Sequence, residues 1–559
     1  MLEPEYFYGK SDKLIEMYQD LEDWILQDIA NRLLKSGDLS GTADRELWKL
    51  EQMGLHRQEI IKRLSQLTGK SRNEIRRLLQ DSAMTSFSND SEVLEKVAQV
   101  VPLLQNNDVI QALNAELTKT MGELGNLTRT TMMQSQRDLL NMLNEVDFRV
   151  ASGLQSYSSA ICEVLDRYAE SGVMVNYPTG SRRSLEAAVR CCIVTSMNQT
   201  AAEVTNQYII QHGVEYVVVS QHLGARYNPK DPTGVSSHDW WQGKAYKIHG
   251  SEPGFPNLLE STGYDIDFDA KRGVCVNMLG LHGYNCRHSH GPWYKELGES
   301  LPEIDREESQ KRYDLEQKQR AFERAVRKTK RQLLVKEQEL NTFPDDENIR
   351  GDYDKLAYRL RMQNRKYGEF CAENDLQKQY DRVKVAGFKK EQASKANSRA
   401  TVFNNEEYKK HESNLGTNMV SKTDFSRIMA DKSEKKLFTH YSDAVKRGDV
   451  SPLADYKLYR KTAMELQDKC VGLTTSNGIK LKRRSLHCID RVIGSVEQRR
   501  NGITVDDVVK ALTSPEAEIR PVRYSGTSAS QKFIYKNAEV TINPVTMTLI
   551  QVNPHHREK

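Results

Sequence analysis

The sequence predicts a multidomain, mainly α-helical protein with α+β parts, and three observations carry that expectation. The chain has 559 residues, more than a single hydrophobic core accommodates, so three or four domains are expected. Hydrophobic residues make up 38% and charged residues 28%, with a mean hydropathy of −0.68. That balance favours long solvated helices over one compact body. Strand-like runs are concentrated in the middle of the chain and its last forty-odd residues, whereas apolar residues elsewhere recur three and four apart.

Residues 1–150 form a helical N-terminal region. Ser11 is a candidate N-cap, and Leu14, Met17, Leu21, Trp24, Ile25, Ile29 and Leu33 fall mostly on one helical face. A second helix is expected over 57–67, with Gly69, Lys70 and Ser71 breaking the chain before 75–79. That resembles a helix–turn–helix, but no base-reading pattern accompanies it, so an ordinary helical hairpin is the expectation and a DNA-binding regulator the minor alternative. Residues 151–300 form an α+β centre: a helix over 184–209 containing Arg190, Thr195 and Asn198, a β-branched strand at Tyr216, Val217, Val218 and Val219, then loops rich in Gly, Pro and Asp. Residues 301–374 are long charged helices. The first carries a narrow stripe of Leu315, Phe322, Val326, Leu333 and Leu340 and is stopped by Pro344; the second carries Leu356, Leu360 and Tyr367. Residues 375–435 are polar and read as a linker with intermittent helix. Residues 436–559 are a separate small α+β domain. Thr504 starts a helix through Leu512 that Ser514 and Pro515 stop, and strand-like runs follow at 519–524, 531–535, 539–542 and 548–552.

The most unusual stretch is 217–294, which reads VVVSQHLGARYNPKDPTGVSSHDWWQGKAYKIHG and then LGLHGYNCRHSHGPWY. Cys275, His282, Cys286, His288 and His290 lie close in sequence, with His238 and His249 upstream. A structural zinc site drawn from Cys275, His282, Cys286 and His288 is the weaker alternative, because no CxxC knuckle sets two ligands in one turn. The expected role is glue: side chains that hydrogen-bond loop backbone no sheet can pair, over a small core of Trp240, Trp241 and Trp293. His222, Arg226 and His238 suit a phosphate chemistry, yet no nucleophile or acid pair frames them. No metal and no cofactor are expected.

As a whole this segment resembles the portal-associated, Mu-F-like minor capsid proteins of tailed phages. The matching pieces are Ser220, His222, Gly224, Ala225 and Arg226; the WWQGK run of Trp240, Trp241, Gln242, Gly243 and Lys244; and Gly283, Asn285, Cys286, Arg287 and His288. The resemblance implies a structural centre and a virion protein inside the capsid near the portal. Its implied partners are the portal protein and other capsid components, with phage genome DNA nearby.

The last domain has a chemical candidate. KLKRRSLHCIDRVIG places His487 and Arg491 four apart, on one face if the segment is helical, within a basic patch of Lys480, Lys482, Arg483, Arg484 and Arg491. An imidazole beside a fixed guanidinium suits metal-free RNA cleavage: the first takes the 2′-hydroxyl proton, the second stabilises charge on phosphorus. LHCIDRVIG, GITVDDVVKAL and KFIYKNAEVTINPVTMTLIQVNP together resemble the barnase–EndoU–colicin–RelE-like nuclease domains. That resemblance implies His487 as general acid/base and Arg491 as phosphate ligand, with Lys532 a second cation and Ser530, Thr546 and Thr548 as hydroxyl donors. Gln551 stands where relatives carry Ser or Thr.

The bulk properties bound the remaining classes. A net charge of +4 does not imply nonspecific nucleic-acid binding by the whole chain. No apolar run approaches the roughly 20 residues that span a bilayer, and MLEPEYFYGK lacks signal-peptide design. Cys162, Cys191, Cys192, Cys275, Cys286, Cys371, Cys470 and Cys488 are scattered, as for reduced thiols of a protein made in a host cytoplasm. The leading expectation is a phage or prophage minor capsid protein with a nuclease-like C-terminal domain. The alternative is a polymorphic-toxin-type metal-independent ribonuclease carried by the rest of the chain.

Overall fold

A computed structural model describes residues 1–36, 42–177, 180–297, 301–526 and 528–555, without side-chain detail at 42–44. The chain divides into two compact units, Met1–Arg399 and Ala400–Lys559. The fold is mainly helical, with small sheets and a mixed sheet near the C-terminus.

In the first unit, α1 (Asp12–Lys35), α2 (Thr42–Leu94), α3 (Asn107–Ala151), α4 (Tyr157–Ser171) and α5 (Leu185–His212) build a helical body, with a short hairpin of β1 (Met174–Asn176) and β2 (Arg182–Ser184) leading into α5. Helix α2 corrects one expectation: it runs unbroken through Gly69, so neither the expected helical hairpin nor a helix–turn–helix forms there. Ile60, Leu67, Ile75, Leu78 and Leu79 all lie in one core. A mid-helix glycine costs about 1 kcal/mol, less than the roughly 1.5–3 kcal/mol gained by burying each such side chain, so a continuous apolar face overrides the local breaker. The face expected for α1 is realised: Leu14, Leu21, Ile25, Ile29 and Leu33 are buried, although Ser11 makes no side-chain cap.

Helix α5 is the pivot. Ser184 caps it by accepting from the Ala187 N–H. Ala188, Val189, Ile193 and Met197 face the helical core, while Ala202, Val204, Tyr208 and Ile209 belong to a second core shared with the centre. Loops dominate that centre around a three-stranded antiparallel sheet, in which β3 (Tyr216–Val219) lies between β4 (Ala245–Lys247) and β7 (His290–Trp293). Between these strands come α6 (His238–Trp241), α7 (Leu258–Thr262) and a hairpin of β5 (Tyr264–Asp267) and β6 (Arg272–Cys275). Trp241 is 1% exposed in this core, but Trp240 is 39% exposed. Trp240 carries Lys244 Nζ and the Arg306 guanidinium over its ring, so it is a cation platform and not the core residue expected.

The charged segment forms a helical hairpin of α8 (Arg306–Thr342) and α9 (Glu347–Glu373), capped by Asp305 and Asp346. Val326 and Leu333 of the stripe are buried, and Leu315 and Phe322 pack at the Tyr367–Cys371–Leu376 cluster. The segment read as a linker is largely helical: α10 (Lys390–Leu415), α11 (Lys422–Ala430) and the start of α12 (Lys432–Lys446). Periodicity misses this because a few aromatic rings, not an aliphatic stripe, supply the packing. Tyr408 meets Phe425, Phe425 meets Phe438, and Phe438 meets Tyr456 with centroids 4.9 Å apart.

The second unit continues with α13 (Tyr456–Cys470), β8 (Arg483–Arg484), α14 (His487–Ile493) and α15 (Val505–Thr513), capped by Thr504. Five strands complete it: β9 (Glu518–Ile519), β10 (Arg523–Ser525), β11 (Ser528–Tyr535), β12 (Ala538–Asn543) and β13 (Thr548–Pro554). Their order is β10-β11-β12-β13-β8, with β9 also paired to β11. The sheet is mixed, not purely antiparallel, because β8 joins β13 in parallel. Asn543 accepts from the Val545 and Thr546 N–H groups and makes the expected turn.

Candidate functional site

The centre is held by side chains aimed at loop backbone. From α5, Asn198 donates to the carbonyls of Cys286 (2.9 Å) and His288 (3.0 Å), and Thr195 Oγ1 accepts the Asn285 N–H (3.1 Å). Asn285 itself sits at φ 54°, a conformation asparagine tolerates better than most residues. Arg226 donates to the carbonyls of Leu279 and Tyr284. Gly243 has φ +72°, and a Cβ there would run into the Gln221 side chain; glycine adopts this turn of the WWQGK run without strain. Lys244 donates to the Trp240 carbonyl (2.7 Å), and Arg287 lies over the Tyr8 ring and 3.8 Å from Glu316.

Within this frame three side chains converge. Cys286 Sγ is 3.8 Å from both His238 Nδ1 and His288 Nδ1, and all three residues are buried. The far nitrogens are fixed: His238 Nε2 is 2.8 Å from the Leu279 carbonyl, and His288 Nε2 is 3.0 Å from Gln242 Oε1. His222 stacks on His288 with centroids 4.7 Å apart, and its Nδ1 donates to its neighbour's carbonyl, Leu223 O (2.8 Å). Burial, reinforced by Arg287, lowers His222 to about 4. Burial also pushes His238 and His288 well below the ordinary imidazole range. The four residues singled out as the alternative zinc set do not assemble. His282 bonds Asn198 and His290 instead (3.1 and 2.8 Å), and Cys275 points at the Leu281 carbonyl. His238, 48 positions before Cys286, takes their place; no local spacing announces it.

His222, His238 and His288 line a cavity of about 420 Å³ that also receives Arg190, Arg287, Arg320, Arg327 and Arg382. Seven arginines but only three carboxylates, Asp12, Glu186 and Glu323, line it. Burial lowers Arg190, Arg320 and Arg382 from the ordinary guanidinium range and takes Arg327 to about 10. The cavity is strongly electropositive, which sequence reading missed because Arg226 and Arg287 of the centre are joined there by Arg190 of α5, by Arg320, Arg324 and Arg327 of α8, and by Arg382 from after α9.

In the second unit, His487 and Arg491 do share a face of α14: Arg491 Nε donates to His487 Nε2 at 3.0 Å. His487 Nδ1 lies 3.4 Å from Asp490 Oδ2. Asp490 is fully buried and also accepts from Tyr459 Oη (2.6 Å) and His440 Nε2 (2.9 Å). The other expected members stand elsewhere. Lys532 pairs with Glu539 at 2.7 Å across β11 and β12, Ser530 lies opposite Arg523, and Thr546 donates to Thr548 at the β12–β13 turn. Among the described residues, no hydrogen bond or ion pair joins these four to His487 or Arg491. Asp490 was legible three residues after His487; His440 and Tyr459, on α12 and α13, were not.

The first unit is thus a helical scaffold carrying a loop-rich centre tied together by side chains. The model of the family described as Phage minor capsid protein 2 matches residues 2–371, and the chain belongs to that family. It is also similar to a protein named "Structural protein" of Lactococcus phage LL-H, 25% identical over 354 residues, covering 60% of this chain and 88% of that relative. No solved structure matches the chain.

Proposed function

We propose that this phage minor capsid protein acts at the portal vertex, inside the head, in head assembly and in DNA packaging or ejection. Membership of the minor capsid family over residues 2–371 carries the reading, and the electropositive cavity of the first unit suits a place near packaged DNA. Its partners are the portal protein and other capsid components. A particle reconstruction tests this: density for the chain at the portal vertex is the expected result, and density elsewhere in the shell overturns it.

The second unit is proposed to cleave RNA without metal. The observation that carries this is the His487–Arg491 contact within a basic segment, with Asp490 behind the imidazole. The proton on Nδ1 faces Asp490, so Nε2 is the atom that accepts the 2′-hydroxyl proton. An RNA phosphate would draw Arg491 away from Nε2 and free it. Cleavage by attack of the 2′-hydroxyl leaves a 2′,3′-cyclic phosphate. The full chain should therefore cleave RNA in EDTA, and a His487→Ala chain that cleaves equally fast removes the proposal.

A further inference from the structure

The neutral-histidine cluster of the centre leaves a proton account that does not close. The Leu279 carbonyl only accepts, so His238 carries its proton on Nε2 and presents a bare Nδ1 lone pair. Gln242 Oε1 is identified as the oxygen because it also accepts the His222 N–H at 3.0 Å; His288 therefore also carries its proton on Nε2 and presents a bare Nδ1. Both lone pairs point at one thiol, which has a single proton. One fully buried acceptor is left without a donor, an arrangement that folded interiors avoid.

We infer that His238 Nδ1, His288 Nδ1 and Cys286 Sγ bind one zinc-class transition-metal ion. A tetrahedral zinc with bonds of about 2.3 Å to sulfur and about 2.0–2.1 Å to nitrogen sets a sulfur–nitrogen edge of roughly 3.5 Å. Both edges here are 3.8 Å, and the three ligand atoms all lie within 4.8 Å of one another. The outer contacts are those of metal-bound imidazoles: each ring donates its remote N–H to an oxygen that fixes tautomer and orientation. Thiolate plus two imidazoles is a donor set that suits zinc. Burial raises the Cys286 thiol, with Arg226 and Arg287 opposing; the metal supplies the remaining drive to deprotonate it. Three protein ligands leave one position for water or a small oxyanion. His238 and His288 line the arginine-rich cavity, so the chemistry outside that position favours an anion such as phosphate.

The inference does not depend on where in the particle the chain resides. It is tested on the purified full chain by metal analysis, followed by removal of metal and refilling with zinc or cobalt(II). One equivalent of either metal is expected, and the cobalt form should show a thiolate-to-cobalt charge-transfer band in the near ultraviolet. Cys275→Ser should keep band and stoichiometry, and Cys286→Ser should lose the band. His288→Gln should lower cobalt affinity at least tenfold. Added phosphate should shift the visible cobalt bands if the open position faces the cavity, and unshifted bands assign that position to water. A folded parent chain that takes up neither metal overturns the site, as does a charge-transfer band that survives in Cys286→Ser. If Cys286→Ser does not fold, a band in the parent that Cys275→Ser retains supports the site, and a band lost in Cys275→Ser overturns it.

Discussion

The chain carries two clusters of histidine beside a second polar group, and they differ in water. In the centre, His238 and His288 are buried against the Trp241 ring, with the outer nitrogen of each bound to a fixed oxygen. On α14, His487 is 40% exposed on its side chain and only its orienting carboxylate, Asp490, is dry. Burial makes the first cluster a tie or a ligand set, because its nitrogens are spent on fixed oxygens and on the Cys286 thiol and are not left to bulk water. Exposure over a buried carboxylate makes the second a place where a proton can be exchanged with an outside molecule. The same residue type therefore lies dry in one unit and meets solvent over a buried carboxylate in the other.

The largest expected effect falls on the exposed cluster. His487→Ala should reduce RNA cleavage by the full chain about 10²–10⁴-fold, the usual loss for a positioned acid/base, with unfolding midpoints unchanged. Arg491→Lys should not restore the parent rate, because an ammonium cannot reproduce the guanidinium fork. Equal rates for parent and His487→Ala would erase the contrast between the clusters.

The buried cluster should answer through stability. Trp241→Ala removes a fully packed indole whose Nε1–H donates to Val235 O (2.9 Å) and should cost about 3–5 kcal/mol. All five tryptophans, Trp24, Trp48, Trp240, Trp241 and Trp293, lie in the first unit, so urea titration followed by tryptophan fluorescence reports on that unit alone. A loss under 1 kcal/mol would show that the centre repacks and is not tightly tied.

Asp490→Ala sharpens the comparison within the second unit. It strands the Tyr459 hydroxyl and the His440 imidazole, which should cost about 1–3 kcal/mol and also slow RNA cleavage. Slower cleavage without destabilisation, read by circular dichroism, would mean that Asp490 orients His487 and adds little to the core.

The smallest effect contrasts Asp490 with a buried carboxylate that has weaker support. Among the described residues, Asp23 on α1 accepts only from the Ala386 and Gly387 N–H groups, and burial, then Glu22, raises it to about 7. Folded Asp23 keeps its proton from its unfolded value of 3.8 up to about 7. The folded state binds more protons across that window, so this contribution to stability falls as pH rises through it. Asp23→Asn should flatten the slope and stabilise the first unit at pH 8 by about 1 kcal/mol or more. An unchanged midpoint there would show that the carboxylate is satisfied when charged.

Local sequence settled what depends on local physics. The α1 face, the Thr504 cap, the 216–219 strand, the α8 stripe and the Asn543 turn all follow from periodicity and short-range hydrogen bonding. The His487–Arg491 pair also follows, because helical spacing places residues four apart side by side. Gly69 was misread as a break since its cost is local while the face that overrides it spans Ile60 to Leu79. The helices between 390 and 430 were read only as intermittent because a few scattered rings, with no aliphatic stripe, do the packing there.

Tertiary structure alone completed both clusters. His238 reaches Cys286 across 48 residues, His440 reaches Asp490 across 50, and the cavity arginines arrive from helices and loops far apart in the sequence. Sequence fixes which donors and acceptors exist and which lie within a helical turn of each other. Which lone pairs share one dry space depends on long-range packing, and that packing sets whether a histidine is a tie, a ligand or a base.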